Sequence, residues 1–259
     1  EPTSICNYRC TFCYQTNSDW SSVQSGDMGM MGIDTFRMAI DEAQGQVEAV
    51  NIASRGEPLL HPKISLFLNY MVGKFVAFKL NTNGWFLTEK TAHALLECDL
   101  MTLVISADAA SEPMYSQLRV GGKLSRIVEN VTRFAEIRRT QYPKSRLLLR
   151  VSGVKVPGTP ELDDMQKLWG DLADQVCFTN FNPWVNIYND QINDIQEPCT
   201  DLWRRTFLWW DGAVNPCDVD YRSSLTVGRF PQHAIADLWM SDAYQALRQN
   251  HLNKQRSMQ

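Results

Sequence analysis

The sequence offers little that would tie it to a membrane or to nucleic acid. Its longest apolar runs, such as Leu147–Val151, are too short to cross a bilayer. No secretory leader is visible at its start. The net charge is −4, so no broad basic field is available for phosphates. Internal repeats and low-complexity tracts are missing. The four histidines, His61, His93, His233 and His251, are scattered without ligand spacing and read as structural. Cysteine is scarce and odd in number: Cys6, Cys10, Cys13, Cys98, Cys177, Cys199 and Cys217. That set fits poorly with a secreted disulfide framework. In a reducing cytoplasm, the expected location, such a pattern binds metal or does chemistry.

What is present is the composition of an ordinary soluble enzyme, 44% hydrophobic and 21% charged. The length allows one large α/β domain, alone or with a small module. Short β-branched or apolar runs at Val47–Ile52, Val76–Leu80, Thr102–Ser106, Leu147–Val154 and Val176–Phe181 read as strands. Amphipathic stretches at Ile33–Gln46, Thr88–Cys98, Leu124–Tyr142 and Glu161–Asp174 read as helices between them. Such alternation predicts a parallel sheet covered by helices. After Phe181 the chain turns rich in Trp, Asn, Pro and Asp, which suggests a smaller, loop-built module. A last helical pattern, Ala234–Leu252, follows. No clear strand precedes the first cysteines, so the sequence reads as trimmed at its start.

The chemistry begins at Cys6-Asn-Tyr-Arg-Cys10-Thr-Phe-Cys13-Tyr14, three thiols with gaps of three and two residues. A loop of this spacing wraps soft sulfur ligands around one metal centre. Three ligands on a four-iron cluster leave one iron open to a cofactor. The plainer alternatives are a zinc site or unlinked thiols. Zinc wants a fourth protein ligand, and no histidine is close in sequence.

This motif, with its following aromatic residue, resembles the signature of the radical S-adenosylmethionine (SAM) superfamily. The resemblance continues along the chain. Ser54-Arg55-Gly56-Glu57-Pro58 is similar to the family's GGEP segment, with Arg55 in place of the first glycine. In the family this segment contacts the methionine amino group. Gly56 allows close backbone approach and the Glu57 carboxylate accepts from an ammonium. Asn81-Thr82-Asn83-Gly84 resembles a TNG segment, and Ser106-Ala107-Asp108 an S-x-D segment. Arg119-x-Gly121-Gly122 resembles the family's R-x-G-G. The resemblance implies that Tyr14, Gly56, Glu57, Asn81, Asn83, Ser106, Asp108, Arg119 and Ser152 surround SAM. Arg119 would fork to its carboxylate; the plainer reading of Arg119 is a solvated surface cation. The fold implied is a partial (β/α)6 TIM-like barrel over residues 1–181, with sites at the C-terminal strand ends. Five visible strands and a trimmed sixth would fill it.

Cys199 and Cys217 flank Trp209-Trp210-Asp211-Gly212, with twelve residues from Cys199 to Gly212 and four from Gly212 to Cys217. Asp211-Gly212 is also a hairpin signal. The spacing resembles the first half of a SPASM or twitch module, expected over 182–259, which houses one or two auxiliary [4Fe–4S] clusters. Two buried structural cysteines beside a tight turn are the alternative. The family's further C-x2-C would fall about where this sequence stops, so the chain is trimmed there or the auxiliary cluster is absent or unusual. Cys98 and Cys177 are expected to be small buried residues.

The implied activity is reductive cleavage of SAM to a 5′-deoxyadenosyl radical, which takes a hydrogen atom from a substrate. Asp218, directly after Cys217, matches the position of a proton-accepting Asp in sulfatase-maturating relatives; loop solvation is its plainer role. Asp220 and Tyr221 are further candidates near the substrate. A small carbohydrate or aminocyclitol-like substrate ranks first and a peptide or protein side chain second. The implied partner is a flavodoxin- or ferredoxin-like electron donor, with no nucleic acid and no membrane. A cluster-binding homologue without turnover is the alternative outside enzymes.

Overall fold

The computed structural model describes residues 1–22, 25–53, 55–156, 162–181, 187–188 and 195–256. Its centre is a five-stranded, all-parallel sheet whose strands lie in chain order. They are β1 (Ala49–Ile52), β2 (Ala77–Thr82), β3 (Thr102–Ser106), β4 (Leu148–Lys155) and β5 (Gln175–Asn180). Successive side chains of each strand point to opposite faces of the sheet. Phe78, Leu80, Leu103, Ile105, Leu149 and Val151 point to the helix side and are buried. Lys79, Asn81, Ser106, Arg150 and Ser152, on the other face, are half-buried. A polar inner face leaves room for a site inside the curve of the sheet.

The helices run in chain order: α1 (Ile33–Ala43), α2 (Ile64–Met71), α3 (Glu89–Glu97), α4 (Glu112–Leu118), α5 (Leu124–Gln141) and α6 (Leu162–Trp169). α1 precedes β1 and the others fill the crossovers that parallel strands require. Leu124, Ile127, Val131, Phe134 and Ile137 form the buried stripe of α5. Its first turn is capped from outside, the Glu112 carboxylate accepting from the amides of Leu124 and Ser125 at 3.1 and 2.9 Å. The expected strands and helices are present with shifted ends. α2 and α4 are additional, and the last helical stretch divides at Ser241. The five described strands carry the partial barrel, and the segment before Cys6 contributes only an isolated bridge, Thr3 to Met30.

A second, antiparallel sheet joins β6 (Phe207–Leu208), β7 (Ala213–Asn215) and β8 (Gly228–Arg229). Asp211-Gly212 does close the hairpin between β6 and β7. Gly212 has φ +87°, and a Cβ there would sit 2.1 Å from the Phe230 carbonyl oxygen, so only glycine fits. Two helices follow, α7 (Ile235–Met240) and α8 (Asp242–Leu252). Ser241 ends the first and caps the second, accepting from Tyr244 N at 3.3 Å.

Candidate functional site

A cavity of about 1210 Å³ opens on the inner face of the sheet and runs to the C-terminal module. Cys6, Cys10 and Cys13 line it together with Tyr14, Gly56, Glu57, Asn81, Asn83, Ser106, Arg119 and Asp218. The cysteine loop is held in place by a two-residue ribbon, Arg9–Cys10 antiparallel to Arg119–Val120. That pairing brings Arg119 beside the thiols, with Nη1 3.9 Å from Cys10 Sγ. Cys6 Sγ accepts from Tyr8 N at 3.4 Å and faces Asn83 Nδ2 at 3.9 Å.

Burial pushes the thiols of Cys6 and Cys13 up to about 12. Thiols held so high stay protonated, and a coordinated metal would deprotonate them outright. Among the described residues no three Cys, His, Asp or Glu side chains converge as a single metal ion needs. The three thiols line one cavity, and three soft sulfur ligands suit an iron–sulfur cluster. The N–H donors and the guanidinium aimed at sulfur are the second-layer contacts a thiolate cluster uses.

Glu57 is 2% exposed at the N-terminal side of a 3-10 turn. Oε1 accepts from Leu59 N at 3.0 Å and Thr82 Oγ1 at 2.6 Å, and Oε2 from Asn83 N at 2.7 Å. A carboxylate has about four acceptor sites, so capacity remains for one more donor. Burial pushes its carboxyl up to about 6, against the opposing effect of these hydrogen bonds and Arg119. Gly56 is required by the chain itself: a Cβ would meet Thr3 O at 2.2 Å and Ile5 O at 2.7 Å. Ser54 lies outside the described residues.

Asn81 Oδ1 is buried with no hydrogen-bond partner among the described residues. An orphaned acceptor on a cavity wall is costly unless a ligand donates to it. Ser106 and Ser152 are in register on adjacent strands of the inner face. Asp108 is occupied: Oδ2 holds Arg119 Nε at 2.5 Å and Oδ1 accepts from Val154 N at 2.8 Å. It orients the guanidinium and is not itself one of the residues that line the cavity. The surface-cation reading of Arg119 fails, since it is 6% exposed.

Several neighbours escape the sequence. Arg55, the departure from a double glycine, forms a bidentate pair with the Glu1 carboxylate, Nη2–Oε1 at 2.7 Å and Nε–Oε2 at 3.0 Å. Its Nη1 donates to Tyr221 O at 2.9 Å, and its guanidinium lies 4.3 Å from the Trp209 ring centroid. Gln15 Nε2 donates to Ser4 O and Arg55 O, joining the cysteine loop to the Glu57 loop. Tyr14 packs on protein: its ring stacks on Tyr221.

In the module, Cys199 N donates to His251 Nδ1 of α8 at 3.0 Å. Cys217 is half-buried just beyond β7. Asp218 faces the cavity and burial raises its carboxyl above the usual range. Asp220 does not act there, because its carboxylate is filled by the loop around it. Cys98 is buried as expected, whereas Cys177 is half-buried: it alternates with Val176 and Phe178, which take the core side.

A family model described as the radical SAM superfamily matches residues 1–144, and one described as an iron-sulfur cluster-binding domain (SPASM) matches residues 199–259. The chain is similar to the tungsten-containing aldehyde ferredoxin oxidoreductase cofactor-modifying protein of Pyrococcus furiosus. Identity is 24% over an alignment 297 positions long, covering 94% of this chain and 80% of that protein. Among solved structures it resembles BtrN in complex with AdoMet and 2-DOIA, with TM-score 0.65, 17% identity, and coverage of 100% of this chain and 87% of BtrN. It also resembles Streptococcus suis SuiB bound to precursor peptide SuiA, with TM-score 0.73, 15% identity, and coverage of 95% of this chain and 65% of SuiB. At these identities the likeness to BtrN and SuiB is one of fold.

Proposed function

We propose that this chain, which belongs to the radical SAM superfamily and carries a SPASM-type iron–sulfur domain, abstracts a hydrogen atom from a small carbohydrate-like substrate and thereby dehydrogenates or epimerises it. Its cofactors are [4Fe–4S] clusters and SAM. When bound, the reduced cluster supplies the electron that cleaves SAM to methionine and the 5′-deoxyadenosyl radical. The observation that carries the proposal is that Glu57, the three cysteines and Asn81, whose Oδ1 has no partner among the described residues, share one cavity at the strand ends.

In this reading residues 1–181 form the barrel and Cys6, Cys10 and Cys13 hold its cluster. Glu57 receives the ammonium of SAM on its remaining acceptor site, beside the Gly56 backbone. Arg119, fixed by Asp108, turns its free guanidinium edge to the carboxylate. Asn81, Ser106 and Ser152 offer polar atoms along the inner face. Asn83 keeps its amide on Glu57, and Tyr14 closes the side toward the module. Residues 182–259 form the auxiliary module, of which 182–186, 189–194 and 257–259 lie outside the described residues. Cys199 and Cys217 are its cluster ligands, and Asp218 accepts the proton released in a dehydrogenation.

The small-substrate reading is supported by the coverage of BtrN, whose structure holds 2-DOIA. A peptide or protein side chain is the second reading, favoured by the higher TM-score to SuiB with its precursor peptide. A flavodoxin- or ferredoxin-like donor in the cytoplasm completes the proposal. No helix among the described residues is long and apolar enough to cross a membrane. Anaerobically reconstituted protein given SAM and dithionite is expected to release 5′-deoxyadenosine. Absence of release from protein with full iron and sulfide content refutes the enzymatic reading, and a Cys6→Ala variant supplies the blank.

A further inference from the structure

Lys79 is the third residue of β2, on the strand face that looks into the cavity. Its flanking residues Phe78 and Leu80 are buried on the helix side. The register sets it beside Asn51 of β1 and Thr102 of β3. Among the described residues its ammonium has no hydrogen-bond acceptor and no carboxylate partner. Burial holds it below the usual lysine value, and the positive charges of Arg150 and Arg205 add to that. Arg150, on the same face of β4 and just outside the cavity lining, has among the described residues the amide oxygen Gln175 Oε1 as its acceptor, at 3.0 and 2.7 Å. Arg205 comes from the module and is paired with Asp201 at 3.2 Å. Glu48 and Asp218 also line the cavity, and neither forms an ion pair with Lys79.

A half-buried ammonium among guanidiniums carries a desolvation cost and a like-charge cost, with no counterion to offset them. A ligand's negative charge removes both. The SAM carboxylate is poorly placed to be that charge. Lys79 is in register with Thr102, four residues before Ser106 at the cofactor end of β3, which is about 13 Å along the strand. Arg119 already serves the cofactor end. The cation therefore belongs to the deeper half of the cavity.

We propose that the substrate carries an acid group, a carboxylate or a phosphate, which docks on Lys79 under the added positive charge of Arg150 and leaves its reacting carbon toward the strand ends and Asp218. This rests on the radical SAM reading above and narrows its substrate. A sugar acid, a sugar phosphate or an acidic side chain suits the cavity, whereas a cationic amino sugar is repelled by it.

The test uses the full chain, reconstituted anaerobically, with inorganic phosphate and acetate as probes in separate calorimetric titrations. At least one probe is expected to saturate the wild type. Lys79→Met and Arg150→Met are each expected to weaken it at least about tenfold, the size of one charge-assisted hydrogen bond. Lys90→Met, on exposed α3, should leave it unchanged. Phosphate alone identifies a phosphorylated substrate, acetate alone a carboxylate, and both an acid of either kind. No saturable binding, or equal binding by wild type and both variants, overturns the proposal. So does a parallel loss of SAM affinity in Lys79→Met, since the cation would then serve the cofactor. Release of 5′-deoxyadenosine is scored separately. If it fails while anion binding holds, the reaction assignment falls and the anion site stands; if release holds without anion binding, only the anion site falls.

Discussion

The ring of Tyr221 lies flat on the ring of Tyr14, with centroids 4.5 Å apart and planes 12° from parallel. Trp20 meets both edge-on, at 5.1 and 5.7 Å. All three rings are essentially buried. The residue after the third cysteine is thus packed onto a residue of the C-terminal module, just beyond Cys217. Truncating Tyr221 to Ala removes a buried ring and is expected to cost about 3–5 kcal/mol. Tyr221→Phe keeps the ring and should cost well under half of that. Denaturant midpoints of reconstituted protein measure both. Equal losses for Ala and Phe would show that the stack is not what joins these regions.

Arg55 is the second tie between the same regions, and it is electrostatic. Its side chain is 5% exposed and that of Glu1 0%. Removing one member of a buried pair leaves the other charge unmatched, at a cost of about 3–5 kcal/mol. Arg55→Met should show that loss. Arg55→Met combined with Glu1→Met should regain much of it, because no lone carboxylate remains. Arg55→Lys should not substitute, since an ammonium cannot fork to the carboxylate, reach Tyr221 O and lie over Trp209 at once. A double-mutant cycle by equilibrium unfolding decides this, and additive losses would contradict the coupling.

The sequence makes visible what is local. Short apolar or β-branched runs mark β1 to β5, because a strand covered by helices keeps such residues together, and three cysteines in eight residues announce themselves. α2 is hidden because the exposed Leu66 and the half-buried Tyr70 blur the polar face opposite Ile64, Phe67, Leu68 and Met71. α4 is hidden because Pro113 looks like a breaker, although proline is tolerated in a first turn. In the site, Glu57 is legible from its neighbours. The pairing of Arg119 with Asp108, of Arg55 with Glu1, and the isolation of Lys79 are products of folding, and no short motif encodes them. Tyr14 illustrates the limit: its aromatic character is plain, but its partner stands in another region of the chain.

Glu57 predicts opposite pH responses for the free and the SAM-bound protein. Its folded carboxyl is raised to about 6 by burial. A raised carboxyl stabilises the fold most when protonated, below its unfolded value, and that contribution is lost as pH rises through about 6. The loss is roughly 2 kcal/mol for the free protein. SAM binding needs the ionised form to accept its ammonium, so affinity should instead fall as pH drops below about 6, approaching tenfold per unit. Anaerobic calorimetry from pH 5 to 7.5 reads the affinity. Glu57→Gln should bind weakly with a flat profile. A flat profile for the wild type would remove Glu57 from the cofactor contact.

Asp218 and Asp220 stand two residues apart and are predicted to fail in different ways. Asp220 is 5% exposed and fully engaged. Oδ1 accepts from Ser224 N at 3.0 Å, from Ser224 Oγ at 2.8 Å and from the Tyr188 hydroxyl. Oδ2 accepts from Leu225 N at 2.8 Å and Asn215 Nδ2 at 3.3 Å. An amide can satisfy only part of this donor-rich shell, so Asp220→Asn should destabilise the module by about 2–4 kcal/mol. Asp218, by contrast, lines the cavity and its raised carboxyl makes it a better proton acceptor than a solvated aspartate. Asp218→Asn should leave stability within about 1 kcal/mol. It should also leave 5′-deoxyadenosine release with SAM and dithionite intact while substrate conversion stops. Unfolding midpoints and product chromatography run on both variants separate the roles. Loss of stability in Asp218→Asn with conversion preserved would assign Asp218 to the scaffold instead.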